Sequence, residues 1–289
     1  MTRPITVGVD GSPESVAAAA WAAREAVRRG LPLRIVHAWQ CQSYDIAPAA
    51  DQEAQAGWAR EAAEGARRTI GERHPELTVT AEALEGEPVG TLVAEAAAAE
   101  LLVLGSRGHG AVVGFLLGSV GRRVIAEAGR PVVLVRSDDR AAGEAAGRDI
   151  LVGQHGEPDD SAPALGFAFE TAAARGAAVR VVRAWSLPPV FAYSPASLKL
   201  LDEAGGLEPY ERRALEEALR PWRERFPDVP VSEHLEMGSA GQVLLSAAQH
   251  AQLVVVGRRA ARAVGPRIGS VTHALVHHAP CPVAVVPPA

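Results

Sequence analysis

The stretch Ile5-Thr-Val-Gly-Val-Asp-Gly-Ser-Pro-Glu14 passes from a short apolar run through a polar turn into an Ala-rich segment. The apolar run, residues 5–9, predicts a buried strand. Ser12 is a suitable helix N-cap, and the proline that follows it suits the first helical position. The helix is expected to extend to about Arg29 and to end at Gly30, a typical C-terminal glycine. A strand that leads directly into a helix is the beginning of an α/β unit.

The same stretch recurs as Ile150-Leu-Val-Gly-Gln-His-Gly-Glu-Pro-Asp159. Four further landmarks recur in the same order: residues 35–39 as 181–185, 102–107 as 254–259, 112–120 as 264–271, and 131–135 as 282–286. Matches in a constant order indicate a tandem duplication. We therefore expect two domains, residues 1–138 and 148–289, joined by the polar segment 138–147, with a long loop at 186–206. The chain length of 289 residues agrees with two domains of roughly 150 residues.

Each repeat alternates strands with helices. In the first repeat the strands are expected at residues 5–9, 33–37, 77–84, 101–104 and 131–135, and the helices at 13–29, 51–72, 88–99 and 119–128. This alternation predicts an α/β fold with two doubly wound parallel-sheet domains, Rossmann-like or flavodoxin-like, whose ligands bind at the carboxyl ends of the strands. The last strands, 132–135 and 283–286, are apolar and edge-like. We expect them to pair, so that the repeats pack as an intrachain pseudo-dimer.

Composition excludes several classes of protein. Hydrophobic residues make up 48% and charged residues 22% of the chain, as in ordinary globular proteins. The net charge of −5 argues against nucleic acid or a membrane surface as a partner. Two cysteines suit a reducing compartment. The chain shows neither a signal-peptide pattern nor a long apolar run, so a cytoplasmic location is expected.

The loop after the fourth strand carries the pattern Gly105-x2-Gly108-x9-Gly118-Ser119. Glycines allow backbone N–H groups to approach an anion, and the N-terminus of the following helix favours phosphate oxygens. The pattern therefore predicts an anion-binding loop on an α/β sheet. The alternative is that the glycines serve only tight turns and that Ser119 serves only as an N-cap.

This loop, together with Val-Asp-Gly-Ser at residues 9–12 and the Pro-Val-Val strand at 131–133, resembles the ATP-binding members of the universal stress protein family. The resemblance covers both repeats and implies ATP as the ligand, with or without Mg²⁺. It also implies that Asp10 contacts the nucleoside end and that the Ala38 backbone lies near the adenine. The phosphate-binding residues that it implies are Gly105, Arg107, Gly108, Gly118, Ser119 and Val120. The alternative for Asp10 is a purely structural role beside a helix N-terminus.

The second repeat departs from this pattern. His155 replaces Asp10, Glu157 replaces Ser12, and Ala260 stands where the second glycine should be, in a loop one residue shorter. These changes predict a weaker nucleotide site. Its candidate residues are Ala184, Gly257, Arg258, Ala260, Gly269, Ser270 and Val271. The arginines at 258, 259, 262 and 267 either compensate through charge-assisted phosphate contacts or belong to a solvated loop.

Other chemistry receives less support. His273, His277, His278 and Cys281 suggest a metal site, but the histidines also suit a helix C-terminus and the cysteine suits the start of a buried strand. We expect no metal site and no catalytic residues, since no nucleophile–base set or carboxylate pair accompanies the loops. The expected function is therefore a regulatory sensor of nucleotide occupancy, with an adenine nucleotide as partner and a homodimer possible. The alternatives are a nucleotide-free dimerising scaffold and a slow ATPase or ATP-pyrophosphatase-like enzyme.

Overall fold

The computed structural model describes residues 2–41, 48–106, 118–137, 148–187, 199, 205–259 and 268–289, with only the backbone at 48–51. The expected linker at 138–147 and most of the expected loop at 186–206 lie outside these residues.

The described elements of the first repeat are β1 (Ile5–Gly8), α1 (Pro13–Arg29), β2 (Leu33–Trp39), α2 (Pro48–Arg73), β3 (Val79–Glu85), α3 (Pro88–Ala98), β4 (Leu101–Ser106), α4 (Ser119–Glu127) and β5 (Val132–Arg136). Those of the second are β6 (Asp149–Gly153), α5 (Pro158–Arg175), β7 (Val179–Trp185), α6 (Glu208–Arg225), β8 (Val231–Met237), α7 (Ala240–Ala248), β9 (Ala251–Gly257), α8 (Ser270–His278) and β10 (Val283–Val286).

The described strands form one sheet in the order β3-β2-β1-β4-β5-β10-β9-β6-β7-β8. Each repeat thus has its strands in the order 3-2-1-4-5, which is the Rossmann order and not the flavodoxin order. Neighbouring strands are parallel within each repeat. The doubly wound α/β fold predicted from the sequence is confirmed. Its strand order reverses direction between β1 and β4, and between β6 and β9.

The two repeats join through their last strands, as predicted. β5 and β10 pair antiparallel, with Val133 opposite Ala284, and this pair makes the sheet continuous across the repeats. Helices α1, α2, α5 and α6 cover one face of the sheet, and α3, α4, α7 and α8 cover the other. The pseudo-dimer therefore shares one sheet and has one core layer on each side of it.

Local signals define the start and end of α1. The Ser12 hydroxyl oxygen accepts a hydrogen bond from the Ser15 amide at 3.2 Å, so Ser12 is the N-cap. Gly30 ends the helix in the left-handed conformation, with φ of 62°, which a residue without a side chain adopts at little cost. Fully buried alanines let α1 pack close to the sheet, as a core poor in aromatic residues requires.

A second contact between the repeats is formed by α1 and α5. The Arg175 guanidinium lies 5.3 Å from the ring centroid of Trp21, and the Arg29 guanidinium lies 5.4 Å from that of Phe167. Each arginine of one repeat thus contacts an aromatic ring of the other, as expected for an interface of pseudo-twofold symmetry. Glu25, which is fully buried, accepts hydrogen bonds from both arginines.

Candidate functional site

A cleft of about 280 Å³ opens where the strand order reverses between β1 and β4. We call it the first cleft. The carboxyl ends of β1, β2 and β4 and the first turns of α1, α3 and α4 supply its lining. Six residues predicted from the sequence line it: Asp10, Ala38, Gly105, Gly118, Ser119 and Val120. The other two, Arg107 and Gly108, lie outside the described residues. The strand order therefore places residues from distant parts of the repeat around one cleft.

Asp10 lies on the loop that leads from β1 into α1. One of its carboxylate oxygens accepts hydrogen bonds from the amide of Ser12 at 3.0 Å and from its hydroxyl at 2.5 Å. Since Ser12 also caps α1, the carboxylate is oriented by the helix start while it lines the cleft. The structural and the ligand-binding interpretations of Asp10 are thus compatible.

His37 is a neighbour of this loop that the sequence interpretation missed. Its Nδ1 atom is buried without a hydrogen-bond partner among the described residues. Burial lowers the pKa of His37 below its ordinary value, although the nearby Asp10 carboxylate acts in the opposite direction. The imidazole is therefore neutral at pH 7.

Close packing against α1 requires a glycine at position 105, independently of its place in the cleft. A Cβ atom at this position would lie 2.6 Å from the carbonyl carbon of Glu14 and 2.8 Å from the amide nitrogen of Ser15. The first turn of α1 therefore rests directly on the end of β4. Neither the anion nor the tight-turn interpretation of the sequence anticipated this contact, because it joins segments far apart in the chain.

The first turn of α4 provides the anion-binding feature of the first cleft. Its N-cap is Gly118, which has no side chain and makes no side-chain cap hydrogen bond. The amides of the first turn of a helix have no partner within the helix, and the helix dipole is positive there. Ser119, Val120 and Gly121 line the cleft. Their backbone is thus suited to phosphate oxygens.

An apolar wall completes the first cleft. Ala38, Pro88, Leu92 and Leu104 form it, and Glu14 also lines the cleft. Pro88 and Leu92 belong to α3, which the sequence predicted as a helix without assigning it to a binding site. Only the packing of α3 against the sheet brings these side chains to the cleft. The combination of an apolar wall and a few polar groups is typical of small-molecule sites.

A second cleft, of about 240 Å³, lies at the corresponding place between β6 and β9. Five predicted residues line it: Ala184, Gly257, Gly269, Ser270 and Val271. Ala260 lies outside the described residues. His155 and Arg259 also line this cleft, as do Gln154 and Thr272.

Arg258 points away from the second cleft. Its guanidinium donates hydrogen bonds to the carbonyl oxygens of Ala126 and, at 2.8 Å, of Ala128, at the C-terminal end of α4 in the first repeat. Arg136 makes the corresponding contact in the other direction, donating to the carbonyl oxygen of Ala279 at 2.8 Å. Arg258 therefore holds the repeats together, and its neighbour Arg259 is the arginine that lines the cleft.

Within the part of the chain that the structure describes, no helix is both long and apolar enough to span a bilayer. Nor does any group of three or more His, Cys, Asp and Glu residues in this part of the chain have the geometry to hold a metal ion. The His273 and His277 rings instead contact each other, with centroids 4.3 Å apart and planes tilted by 40°, and His277 is buried.

The fold and the clefts define a tandem α/β protein with a ligand-sized cleft at the corresponding strand ends of each repeat. The model of the universal stress protein family matches residues 1–136 and 147–287. A universal stress protein of Mycobacterium tuberculosis is 35% identical over 290 residues, covering 97% of this chain and 96% of its own. The chain therefore belongs to the universal stress protein family.

A universal stress protein from Archaeoglobus fulgidus shows the same fold: it superposes with a TM-score of 0.68 at 16% identity, covering 99% of this chain and 98% of its own. A further universal stress protein from Archaeoglobus fulgidus, solved in complex with dAMP, covers 46% of this chain and 97% of its own at 26% identity and a TM-score of 0.33.

Proposed function

We propose that this chain is a regulatory ATP-binding protein whose first cleft holds the nucleotide. The observation that carries the proposal is the convergence in one cleft of an oriented carboxylate, an apolar wall and a helix N-terminus capped by glycine. These three features match the hydroxyl groups, the base and the phosphates of a nucleotide, respectively. The domains would be residues 1–138, with this site, and residues 148–289.

The proposed pose follows the strand ends across the cleft. Asp10 accepts hydrogen bonds from the nucleoside end, and the base lies beside the Ala38 backbone. The phosphates meet the amides of Ser119 and Val120. Gly108 and Arg107 are also assigned to the phosphates, on the grounds of the family resemblance alone.

Mg²⁺ prefers oxygen ligands and usually binds together with the phosphates of a nucleotide. When bound with ATP, the ion would neutralise part of the phosphate charge, and the amides of α4 would bind and orient the phosphates. Asp10 is assigned to the nucleoside end and is not proposed as a ligand of the ion.

The test uses two substitutions in the full chain. Gly118→Glu puts a carboxylate where the phosphates approach the α4 amides, and Asp10→Ala removes the acceptor for the nucleoside end. Loss of one charge-assisted hydrogen bond corresponds to about 1.5–3 kcal/mol, or about 10- to 100-fold in affinity. We expect losses of this size for ATP in isothermal titration calorimetry, with both variants still folded and melting cooperatively.

Gly269→Glu is the matched control, because Gly269 is the N-cap of α8 in the second cleft and has open space around it. It should leave the affinity of the first cleft unchanged. Unchanged ATP affinity in both first-cleft variants would contradict the proposal. An independent check is to denature the purified protein and to identify any nucleotide released, with its stoichiometry per chain.

A further inference from the structure

Helices α1 and α2 of the first repeat carry exposed apolar side chains on their outer surface, which we call the α1/α2 face. Among the residues that the structure describes, five large apolar side chains are exposed, and three of them belong to these two helices. Val16 and Val27 on α1 are 52% and 39% exposed, and Trp58 on α2 is 74% exposed. Because burial of such side chains is favourable, an exposed group of them indicates a surface that binds another molecule.

A groove of about 180 Å³ separates the two helices on this face. Val16 and Ala20 line it from α1, and Ala62 and Gly65 line it from α2. Trp58 precedes Ala62 by one helical turn, so its exposed indole lies beside one end of the groove. The α1/α2 face thus presents both a protruding aromatic side chain and a concave apolar surface.

In the second repeat, aromatic side chains fill the corresponding groove between α5 and α6. A Cβ atom on Gly166 of α5 would lie 2.7 Å from the Trp222 ring of α6. The Trp222 ring also stacks on Phe169, with centroids 6.2 Å apart. Counted back from the C-terminal ends of the helices, the corresponding residues of the first repeat are Ala20, Ile70 and Ala23. The groove on the α1/α2 face is therefore open because smaller side chains replace the ones that close it in the second repeat.

Opposite charges lie at the two ends of the groove. Glu61 and Arg73 both line it, and they are about 18 Å apart along α2 at 1.5 Å per residue. Arg68 donates a hydrogen bond to Glu61 at 2.7 Å, but the Glu61 side chain is 71% exposed and can accept a second cation. A face with a carboxylate at one end and a guanidinium at the other is complementary to a copy of itself that is rotated about a twofold axis.

The same twofold axis gives the exposed indole an apolar surface to contact. An axis beside residue 67 that pairs residue 61 with residue 73 of the other copy also places Trp58 opposite Glu76. A hollow of about 480 Å³ lies there, at the C-terminal ends of α1 and α2, and Val27, Leu77 and Glu76 are among its lining residues. The apolar side chains can cover the indole ring, and the Glu76 carboxylate can accept its N–H.

The α1/α2 face is large enough for a specific dimer of moderate affinity. The 17 residues of α1 extend over about 25 Å, and two helices side by side are about 20 Å wide. Contact over this face would bury about 500 Å² on each copy and about 1,000 Å² in total, which is the lower limit for a specific interface. We therefore expect a dimer that dissociates at micromolar concentrations.

We propose that the α1/α2 face binds a second copy of this chain, with the two α2 helices antiparallel across a twofold axis. Each copy inserts Trp58 into the hollow of the other, and Glu61 of each copy pairs with Arg73 of the other. The pairing of β5 with β10 joins the repeats within one chain, so this face is a separate surface. The inference does not depend on ATP binding in the first cleft.

The first experiment is sedimentation equilibrium of the full chain over a range of micromolar concentrations. We expect a reversible monomer–dimer equilibrium. Trp58→Ala should weaken the dimer at least about 100-fold, because each dimer loses two aromatic anchors. Tyr210→Ala is the matched control, since Tyr210 is 63% exposed at the corresponding position of α6, beside a groove that Trp222 already fills. It should leave the dimer unchanged.

A charge exchange tests the register of the two helices. Glu61→Arg and Arg73→Glu should each weaken the dimer about 10-fold, because each change places like charges together at both ends of the interface. The double variant restores opposite charges and should recover most of the lost affinity. Thermal melting of each variant checks that the fold is retained, and a purely structural effect would not be reversed by the second substitution.

Three results would overturn the proposal. The first is a wild-type chain that stays monomeric throughout the concentration range. The second is a dimer that Trp58→Ala weakens no more than Tyr210→Ala does, which would place the interface elsewhere. The third is a double charge variant that dimerises no better than Glu61→Arg alone.

Discussion

The buried carboxylate between the repeats makes a strong prediction about stability. Glu25 is fully buried on α1, and its two oxygens accept hydrogen bonds from Arg29 at 2.7 Å and from Arg175 at 2.8 and 3.1 Å. The Arg175 side chain, on α5 of the other repeat, is only 2% exposed. Glu25→Gln keeps the shape of the side chain and removes its charge, so Arg29 and Arg175 lose their shared counter-ion, as does Arg28 at 3.7 Å.

The loss of stability in Glu25→Gln depends on the hydrogen bonds that the arginines retain. Breaking a buried ion pair by neutralising one partner costs about 3–5 kcal/mol. Arg29 retains the Thr171 hydroxyl at 2.8 Å, and Arg175 retains the Gln252 side-chain oxygen at 2.9 Å. The amide oxygen of the new glutamine still accepts one hydrogen bond. We therefore expect the lower end of the range, about 3 kcal/mol in the free energy of unfolding at pH 7.

The effect should depend on pH. Burial by itself raises the pKa of Glu25, but the attraction of Arg175 and Arg29 outweighs it, so the pKa in the folded protein lies below its ordinary value. A carboxyl group with a depressed folded pKa stabilises the protein above its unfolded pKa, and this stabilisation is lost as the pH falls through the folded value. The wild type should therefore lose on acidification a contribution that Glu25→Gln lacks throughout, and the difference between them should shrink at acid pH.

Urea unfolding, followed by circular dichroism at neutral and acid pH, measures both effects. Glu170→Gln is the matched control, because its carboxylate is 43% exposed and lies 3.3 Å from the exposed Arg225. An exposed pair of this kind contributes about 0–1 kcal/mol. The explanation is wrong if Glu25→Gln loses no more stability than Glu170→Gln at pH 7. It is also wrong if the difference in unfolding free energy between the wild type and Glu25→Gln grows on acidification.

Two further predictions concern the start of α1. Gly105→Ala should destabilise the fold by about 1–3 kcal/mol, because the new Cβ atom would lie 2.6 Å from the Glu14 carbonyl carbon. Gly129→Ala is the control, because a Cβ atom there meets open space. Equal urea midpoints for the two variants would contradict this prediction. Ser12→Ala removes the cap of α1 and the hydrogen bonds to Asp10, so we expect a loss of about 1 kcal/mol and weaker ATP binding by calorimetry. Ser239→Ala, at an N-cap without a side-chain hydrogen bond, should change neither quantity, and a Ser12→Ala protein that behaves like it would refute this role of Ser12.

The sequence alone predicted most of the local structure and the pairing of the repeats. α1 begins after Ser12 and ends at Gly30 in the structure, as the sequence predicts, because capping depends on residues within one turn of the helix end. Other bounds moved by a few residues: α2 begins at Pro48 and not near residue 51, and β3 begins at Val79 and not at residue 77. The pairing of β5 with β10 was predictable because residues 132–135 and 283–286 are all apolar and would otherwise leave an exposed edge.

Tertiary structure decided which side chains share a cleft. The alternation of strands and helices fits more than one strand order, and only the packed sheet selects the one that brings Asp10 beside Gly118. Arg258 and Arg259 are adjacent arginines that the sequence does not distinguish. In the structure, Arg258 donates hydrogen bonds to carbonyl oxygens of the first repeat, whereas Arg259 lines the second cleft. Successive side chains at the end of a strand point to opposite sides. Which side faces the cleft depends on non-local contacts, and these exist only once the repeats have packed.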